Sequence, residues 1–279
     1  MSVPTHTLPS GDEMPGIGAG TWNLAGETLA DSLRTALDAG YTHVDTAEGY
    51  MNESEIGDVL TDYEREELFL TSKVLPKHLD YESVIESCEA SLERLGTDYL
   101  DLYLVHWPNP AISVRETMAA MAHLKETGKV RNVGVSNFSP YQLSTAQHVS
   151  DVPIAVNQVE FHPWHQRADI IEACEETDTV VEAAAPLGRT DVFGDDVVRS
   201  LADERDVHPA QIILRWEIER GVVPLPKSGS PAHVRANLEL FDFELDEEDI
   251  ERLNGRDKSE PVYDNRHRDW SGDVYGISQ

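Results

Sequence analysis

The stretch Leu100-Asp101-Leu102-Tyr103-Leu104-Val105-His106-Trp107-Pro108 is apolar at nearly every position up to Val105 and changes character at His106. Successive side chains of a strand point to opposite faces, so an apolar run without alternation is buried on both, as in the interior of a parallel sheet. Seven further short apolar runs recur along the chain, and with this one they span 16–20, 42–46, 68–74, 100–106, 132–136, 155–159, 179–183 and 222–226. Helical patterns follow most of them. Gly26–Ala39 places Leu29, Leu33, Ala36 and Leu37 at a 3.6-residue period, and Gly40 fits the position just after a helix end. Tyr81–Leu95 repeats that logic with Val84, Ile85, Cys88, Ser91, Leu92 and Leu95 before Gly96, and 117–127 before Gly128 is a third case. Strands alternating with helices pair in parallel through crossovers. Eight such units in 279 residues predict an α/β fold, a closed (β/α)8 TIM barrel, as a single unit over 1–279. A doubly wound open sheet is the competitor. Its dinucleotide fingerprint fails at Gly16-Ile17-Gly18-Ala19-Gly20, because the third glycine would fall on Thr21 and no helix opens there.

Barrels carry their chemistry at the C-terminal ends of the strands. The second run ends in Asp45 with Tyr50 five residues on, the third ends in Lys73 and the fourth in His106. One such residue would be an ordinary hydrogen-bond partner; four titratable side chains at three successive strand ends mark a candidate site. Asp45 can hold the Lys73 cation in place, and a cation beside Tyr50 would lower the phenol's pKa from about 10. His106 can orient a carbonyl oxygen or share the proton. The set suits protonation of an oxygen as charge develops on it, without a metal. The His162-Pro163-Trp164-His165 cluster lacks carboxylate partners at ligand spacing, and no phosphate-loop, zinc-protease or serine-hydrolase motif occurs.

Composition narrows the class further. With 22 basic against 52 acidic side chains the formal charge is −30, which excludes a nucleic-acid binder and disfavours an anionic membrane surface. Only six of the 22 are lysines. Self-repulsion at that charge destabilises a compact state unless counterions screen it, so the expectation is a protein adapted to a high-salt cytoplasm, from a halophile. No run approaches the roughly 18 apolar residues of a membrane span, and the opening MSVPTHTLPSGDEMPG lacks signal-peptide regions, so a cytoplasmic location is expected. Cys88 and Cys174 stand apart with no C-x-x-C pair, which fits a reducing compartment.

Several stretches make the chain resemble the aldo-keto reductases, of the short microbial type, along nearly its whole length. They are Gly18-Ala19-Gly20-Thr21-Trp22; Val44-Asp45-Thr46-Ala47 with Tyr50, Asn52-Glu53 and Ile56-Gly57; and Tyr99 through Pro108. Gly134-Val135-Ser136-Asn137-Phe138, Asn157 through Pro163 and Pro224-Leu225-Pro226-Lys227-Ser228 continue the match. The resemblance implies hydride transfer between NADP (NAD being the second choice) and a small aldehyde or ketone, with Asp45, Tyr50, Lys73 and His106 as the catalytic tetrad and Tyr50 as the general acid. It implies that Ser136, Asn137 and Gln158 hold the nicotinamide carboxamide, Lys227 and Ser228 the 2′-phosphate and Asn237 the adenine, with Leu187 a further cofactor contact. Three positions depart from the family pattern. Ala184 stands where an aromatic ring stacks on the nicotinamide, His233 where an arginine covers the adenine and its phosphate, and Ala236 where a glutamate contacts the adenine. A weakened preference for NADP over NAD follows.

Trp22, Trp107 and Trp270 are candidates to line an apolar substrate cleft, and the C-terminal segment 256–279 is expected near it, with Arg266, His267 and Arg268 as candidate partners of a substrate carboxylate. A monomer is expected, with a weak oligomer as the alternative. The rival reading is a non-catalytic, nicotinamide-cofactor-sensing regulatory subunit of an ion channel on the same fold. The complete tetrad and the lack of a docking extension favour the enzyme.

Overall fold

The computed structural model describes residues 3–262. Eight strands form one parallel sheet, each paired with its neighbours in chain order: β1 (Ala19–Gly20), β2 (His43–Asp45), β3 (Phe69–Val74), β4 (Leu100–Val105), β5 (Val130–Ser136), β6 (Ile154–Glu160), β7 (Val180–Ala184) and β8 (Val223–Pro224). The Gly18 N–H donates to Pro224 O and the Gly20 N–H to Pro226 O, both at 3.0 Å, which joins the first strand to the last and closes the (β/α)8 barrel. This seam explains the small residues of the first run. A Cβ on Gly20 would stand 2.9 Å from Leu225 O, so only glycine lets the two strands approach.

Ten helices surround the sheet: α1 (Gly26–Ala39), α2 (Glu53–Leu60), α3 (Tyr81–Leu95), α4 (Val114–Glu126), α5 (Pro140–Val149), α6 (Ala168–Glu175), α7 (Asp196–Arg205), α8 (Pro209–Glu219), α9 (Pro231–Ala236) and α10 (Glu247–Asn254), counted among the described residues. The α1 helix stops where expected because Gly40 takes φ 108°, a left-handed conformation that side chains disfavour, and returns its N–H to Ala36 and Leu37. The α3 helix starts at Asp80, whose carboxylate accepts the Ser83 N–H. The third expected helix begins at Val114, three residues before the sequence pattern. Its first turn faces solvent, so the apolar period that locates a helix is silent until Thr117 and Met118.

Leu29, Leu33, Val84, Cys88, Leu92, Met118 and Met121 turn inward from the helices onto the outer faces of the strands. Each fully buried aliphatic side chain of this kind contributes roughly 1.5–3 kcal/mol. Inside the barrel, Phe69, Leu102, Leu104 and Val156 pack with Leu8 and Met14 from an antiparallel hairpin, Thr5–Thr7 with Glu13–Pro15. The hairpin stops the end of the barrel where the strands begin, leaving chemistry to the other end. Burial pushes the Cys88 thiol up to about 12 and the Cys174 thiol up to about 11, which keeps both unreactive. No described helix is long and apolar enough to cross a membrane.

One buried group opposes the fold. Glu217 on α8 is fully buried, neither carboxyl oxygen has a hydrogen-bond partner among the described residues, and burial holds its pKa well above the ordinary value. An acid whose pKa is raised by folding costs increasing stability as the pH climbs past its unfolded value of about 4.3. Glu217→Met should therefore stabilise the protein by about 1–3 kcal/mol near neutral pH, the penalty of an unsatisfied buried polar group. The gain should grow between pH 5 and 8 in thermal melts; a gain that shrinks over that range contradicts the argument.

Candidate active site

Lys73, near the C-terminal end of β3, has no exposed surface, and a buried ammonium without partners would cost several kcal/mol. Its Nζ donates to both Asp45 oxygens at 2.7 Å, to Thr46 O at 2.9 Å and to Tyr50 Oη at 3.3 Å. Three oxygens anchor the cation, and the fourth contact aims it at the phenol. Tyr50 closes a short 3-10 turn, Glu48–Tyr50, that is fastened on both sides. Glu48 Oε2 accepts the Leu75 N–H at 3.0 Å and Oε1 pairs with His78 Nδ1 at 2.8 Å. On the other side Asn52 donates to Thr21 O and Leu24 O and accepts from Thr46 Oγ1. Glu53 follows, buried against Ser72 and Arg94.

His106 leaves β4 with its N–H on Val74 O, and its ring stands edge-on to Tyr50 with centroids 5.6 Å apart. The next strands add amides. Asn137, with φ 62°, donates from Nδ2 to His106 O and Ser136 Oγ, and Ser136 Oγ donates to Gln158 O. Gln158 sends both its Nε2 hydrogens down into the barrel, to Asp45 Oδ2 at 3.0 Å and to Glu182 Oε2 at 2.9 Å. Glu182, on β7, was not singled out in the sequence. Its signal was present, a lone acid inside an apolar run at 179–183. Below it, burial pushes His43 down to about 4, so that ring is uncharged at neutral pH.

A cavity of about 440 Å³ opens above these groups. Trp22, Asp45, Tyr50, His106, Trp107, Ser136, Asn137, Gln158, Leu187 and Lys227 all line it, while Lys73 lies beneath Asp45. Ser228 and Asn237 line a smaller adjoining recess, and His233 sits exposed on α9 with its ring stacked on His208. The residues fit a long ligand that is polar at one end and anionic at the other. The amide oxygens of Gln158 and Asn137 accept nothing among the described residues, while Lys227 stands at the far end, 6.0 Å from the Trp22 ring centre. Ala184 and Ala185 line the wall between without an aromatic face. The described part of the C-terminal segment is tied to the loop after β6. Arg256 and the Trp164 indole meet on Asp195, and Lys258 lies 3.4 Å over the Trp164 ring. Arg266, His267, Arg268 and Trp270 fall outside the described residues. His162 Nε2 lies 3.0 Å from Glu160 Oε1, in a turn closed by pairing with His165.

Comparison with known proteins agrees with this geometry. The model of the aldo/keto reductase family matches residues 16–258. The chain is 38% identical over 250 residues to an aldo-keto reductase of Mycolicibacterium smegmatis, covering 88% of this chain and 91% of that one. It is 37% identical over 261 residues to a glyoxal reductase of Bacillus subtilis, covering 92% and 94%. The crystal structure of a Bombyx mori aldo-keto reductase in complex with NADP superposes with a TM-score of 0.89 at 28% identity, over 99% of this chain and all of that one. With a buried Lys–Asp pair under a tyrosine at the mouth of a closed barrel, and with likeness of this extent, the chain belongs to the aldo/keto reductase family.

Proposed function

We propose that the protein is an NADP(H)-dependent carbonyl reductase, in which Tyr50 gives a proton to the oxygen of a small aldehyde or ketone. The observation that carries this reading is the Lys73 ammonium, buried, fixed by three oxygens and 3.3 Å from the Tyr50 hydroxyl. Fixed in that way, the cation stabilises negative charge on the phenol oxygen as the proton leaves, at no cost in reorganisation. His106, edge-on to Tyr50, orients the carbonyl oxygen between the two rings. Ser136, Asn137 and Gln158 would hold the carboxamide of NADP, Leu187 would line its path, and Lys227, Ser228, His233 and Asn237 would take its phosphate and adenine end. When bound, NADPH supplies the hydride. The name of the glyoxal reductase relative and the NADP in the Bombyx mori structure support the substrate class and the cofactor. Trp22 and Trp107 supply the apolar rim for the substrate. The acidic composition supports work in concentrated salt inside the cell. Loss of reduced-nicotinamide absorbance on adding glyoxal or another small aldehyde in molar KCl tests the proposal; a protein that binds NADPH and turns over no carbonyl belongs to the sensing class instead.

Preference for NADP over NAD should be present but modest. Lys227 offers charge to a 2′-phosphate, whereas His233 lacks the bidentate fork of an arginine. His233→Arg should raise the NADP:NAD ratio of kcat/KM. Ala184→Tyr restores an aromatic face worth about 1–3 kcal/mol by analogy with base stacking, and should tighten both cofactors equally. A wild type that prefers NAD in its own salt would remove Lys227 from this role.

A further inference from the structure

The acid under the quartet has no part in the chemistry above. Glu182 is fully buried, its Oε2 shares the Gln158 amide with Asp45, and its Oε1 has no hydrogen-bond partner among the described residues. We propose that Glu182 is a positioning residue: by sharing the Gln158 amide with Asp45 it holds the amide oxygen toward the cavity, and by its own charge it sets how strongly the site favours a cationic nicotinamide ring over a neutral one. The inference rests on the cavity taking NADP(H).

The geometry supplies the first half. Gln158 has two N–H groups, and both end on carboxyl oxygens, so its amide oxygen points away from them. Reversing the amide would set its oxygen against the Asp45 carboxylate and give up both N–H donations. Without Glu182 one of those two anchors is gone, and the amide is free to turn about the other.

The second half follows from the charges that face Glu182. From β2 come Asp45 and His43, the latter with Nε2 3.7 Å from Glu182 Oε1; from β3 comes Lys73, and from β6 the uncharged Gln158. Its partner in β8, Val223, has no charge, and β1 contributes only Ala19 and Gly20. Lys73 is already balanced by Asp45, and His43 is neutral, so an ionised Glu182 would be an uncompensated charge in the barrel. Burial first and Asp45 second therefore push its pKa up, to about 8. Near neutral pH the floor of the site is uncharged. Above that range it gains one negative charge, which attracts the cationic ring of NADP+ and does nothing comparable for the neutral ring of NADPH.

The test measures dissociation constants of NADP+ and NADPH by fluorescence from about pH 6 to 9.5, at constant high salt, in wild type and Glu182→Gln. Taking their ratio cancels the ionisation of the 2′-phosphate, which both forms share. In wild type, Kd(NADPH)/Kd(NADP+) should rise about three- to tenfold through pH 8, which corresponds to a half to one unit of pKa change on swapping the two forms. Glu182→Gln, which keeps the acceptor for Gln158, should show a flat ratio. The same rise in the variant, or a flat ratio in wild type, overturns the proposal. An infrared pH titration of the free protein carrying Glu217→Met, which removes the other buried acid whose pKa burial raises, keeps the question answerable if the Glu182 variant fails to fold. A protonated-carboxyl band persisting to about pH 8 supports the assignment, and its disappearance below pH 6 refutes it. Failure to bind either cofactor would defeat the functional reading, and the infrared titration would still decide the charge of Glu182.

Discussion

Tyr50→Phe loses about 10²- to 10⁴-fold in kcat and keeps its affinity for the cofactor, because the change deletes one hydroxyl and the proton it carries. The cofactor contacts proposed above lie on Ser136, Asn137 and Gln158 and on residues after β7 and β8, and they do not depend on that hydroxyl. The substitution is also a clean one. Lys73 retains both Asp45 oxygens and Thr46 O, so the buried cation stays satisfied when the phenol oxygen goes. Removing Lys73 itself would strand the Asp45 carboxylate, which is nearly buried, and cost about 3–5 kcal/mol, confusing catalysis with folding. Steady-state kinetics with a small aldehyde, beside NADPH fluorescence titration, separates the two parameters. Retention of more than about one per cent of kcat in Tyr50→Phe would take the proton from Tyr50 and give it to His106 or to water.

The other large effect is on folding. With 52 acidic and 22 basic side chains, the melting temperature should rise by more than about 10 °C between dilute buffer and molar KCl, equivalent to several kcal/mol at roughly 2–4 °C per kcal/mol. Screening becomes effective only when the Debye length, about 10 Å at 0.1 M, shrinks to about 3 Å at 1 M. Among the described residues every ion pair made by a lysine or an arginine belongs to arginine except Lys73–Asp45, which is buried beyond the reach of salt. The surface left over is acidic and repels itself. A neutral osmolyte at the same concentration should not substitute for KCl. Equal melting temperatures in the two buffers would disprove salt adaptation and leave the charge without a role.

Much of this architecture could be read from local pattern. Leu100–Val105 is apolar on both parities because both its faces are covered, and α1 and α3 end where Gly40 and Gly96 stand. Once the strand ends were placed, Asp45, Tyr50, Lys73 and His106 fell together at one mouth. What stayed hidden depends on partners distant in the chain. The hairpin at Thr5–Thr7 and Glu13–Pro15 has strands of three residues, too short to show alternation. Glu182 looks like an interruption in an apolar run until Gln158 and Asp45, from two other strands, are seen to surround it. The significance of Ala184 and His233 came from the family pattern alone.

The two hydrogen bonds that join Gly18 and Gly20 to Pro224 and Pro226 connect residues about 200 positions apart, and they set an order of events for the newborn chain. Asp45, Tyr50, Lys73 and His106 are all made within the first 106 residues, and Gln158, Leu187 and Lys227 follow. Closing so long a loop is entropically unfavourable until the intervening strands have already paired. Until β8 docks against β1, the chain therefore holds these four side chains on an open sheet, without a closing wall. Trp22 and Lys227, on the two sides of that join, then come to face each other across a finished cavity. The finished cavity thus arrives in one step, when that join forms, and a chain cut short of β8 has these side chains without the walls around them.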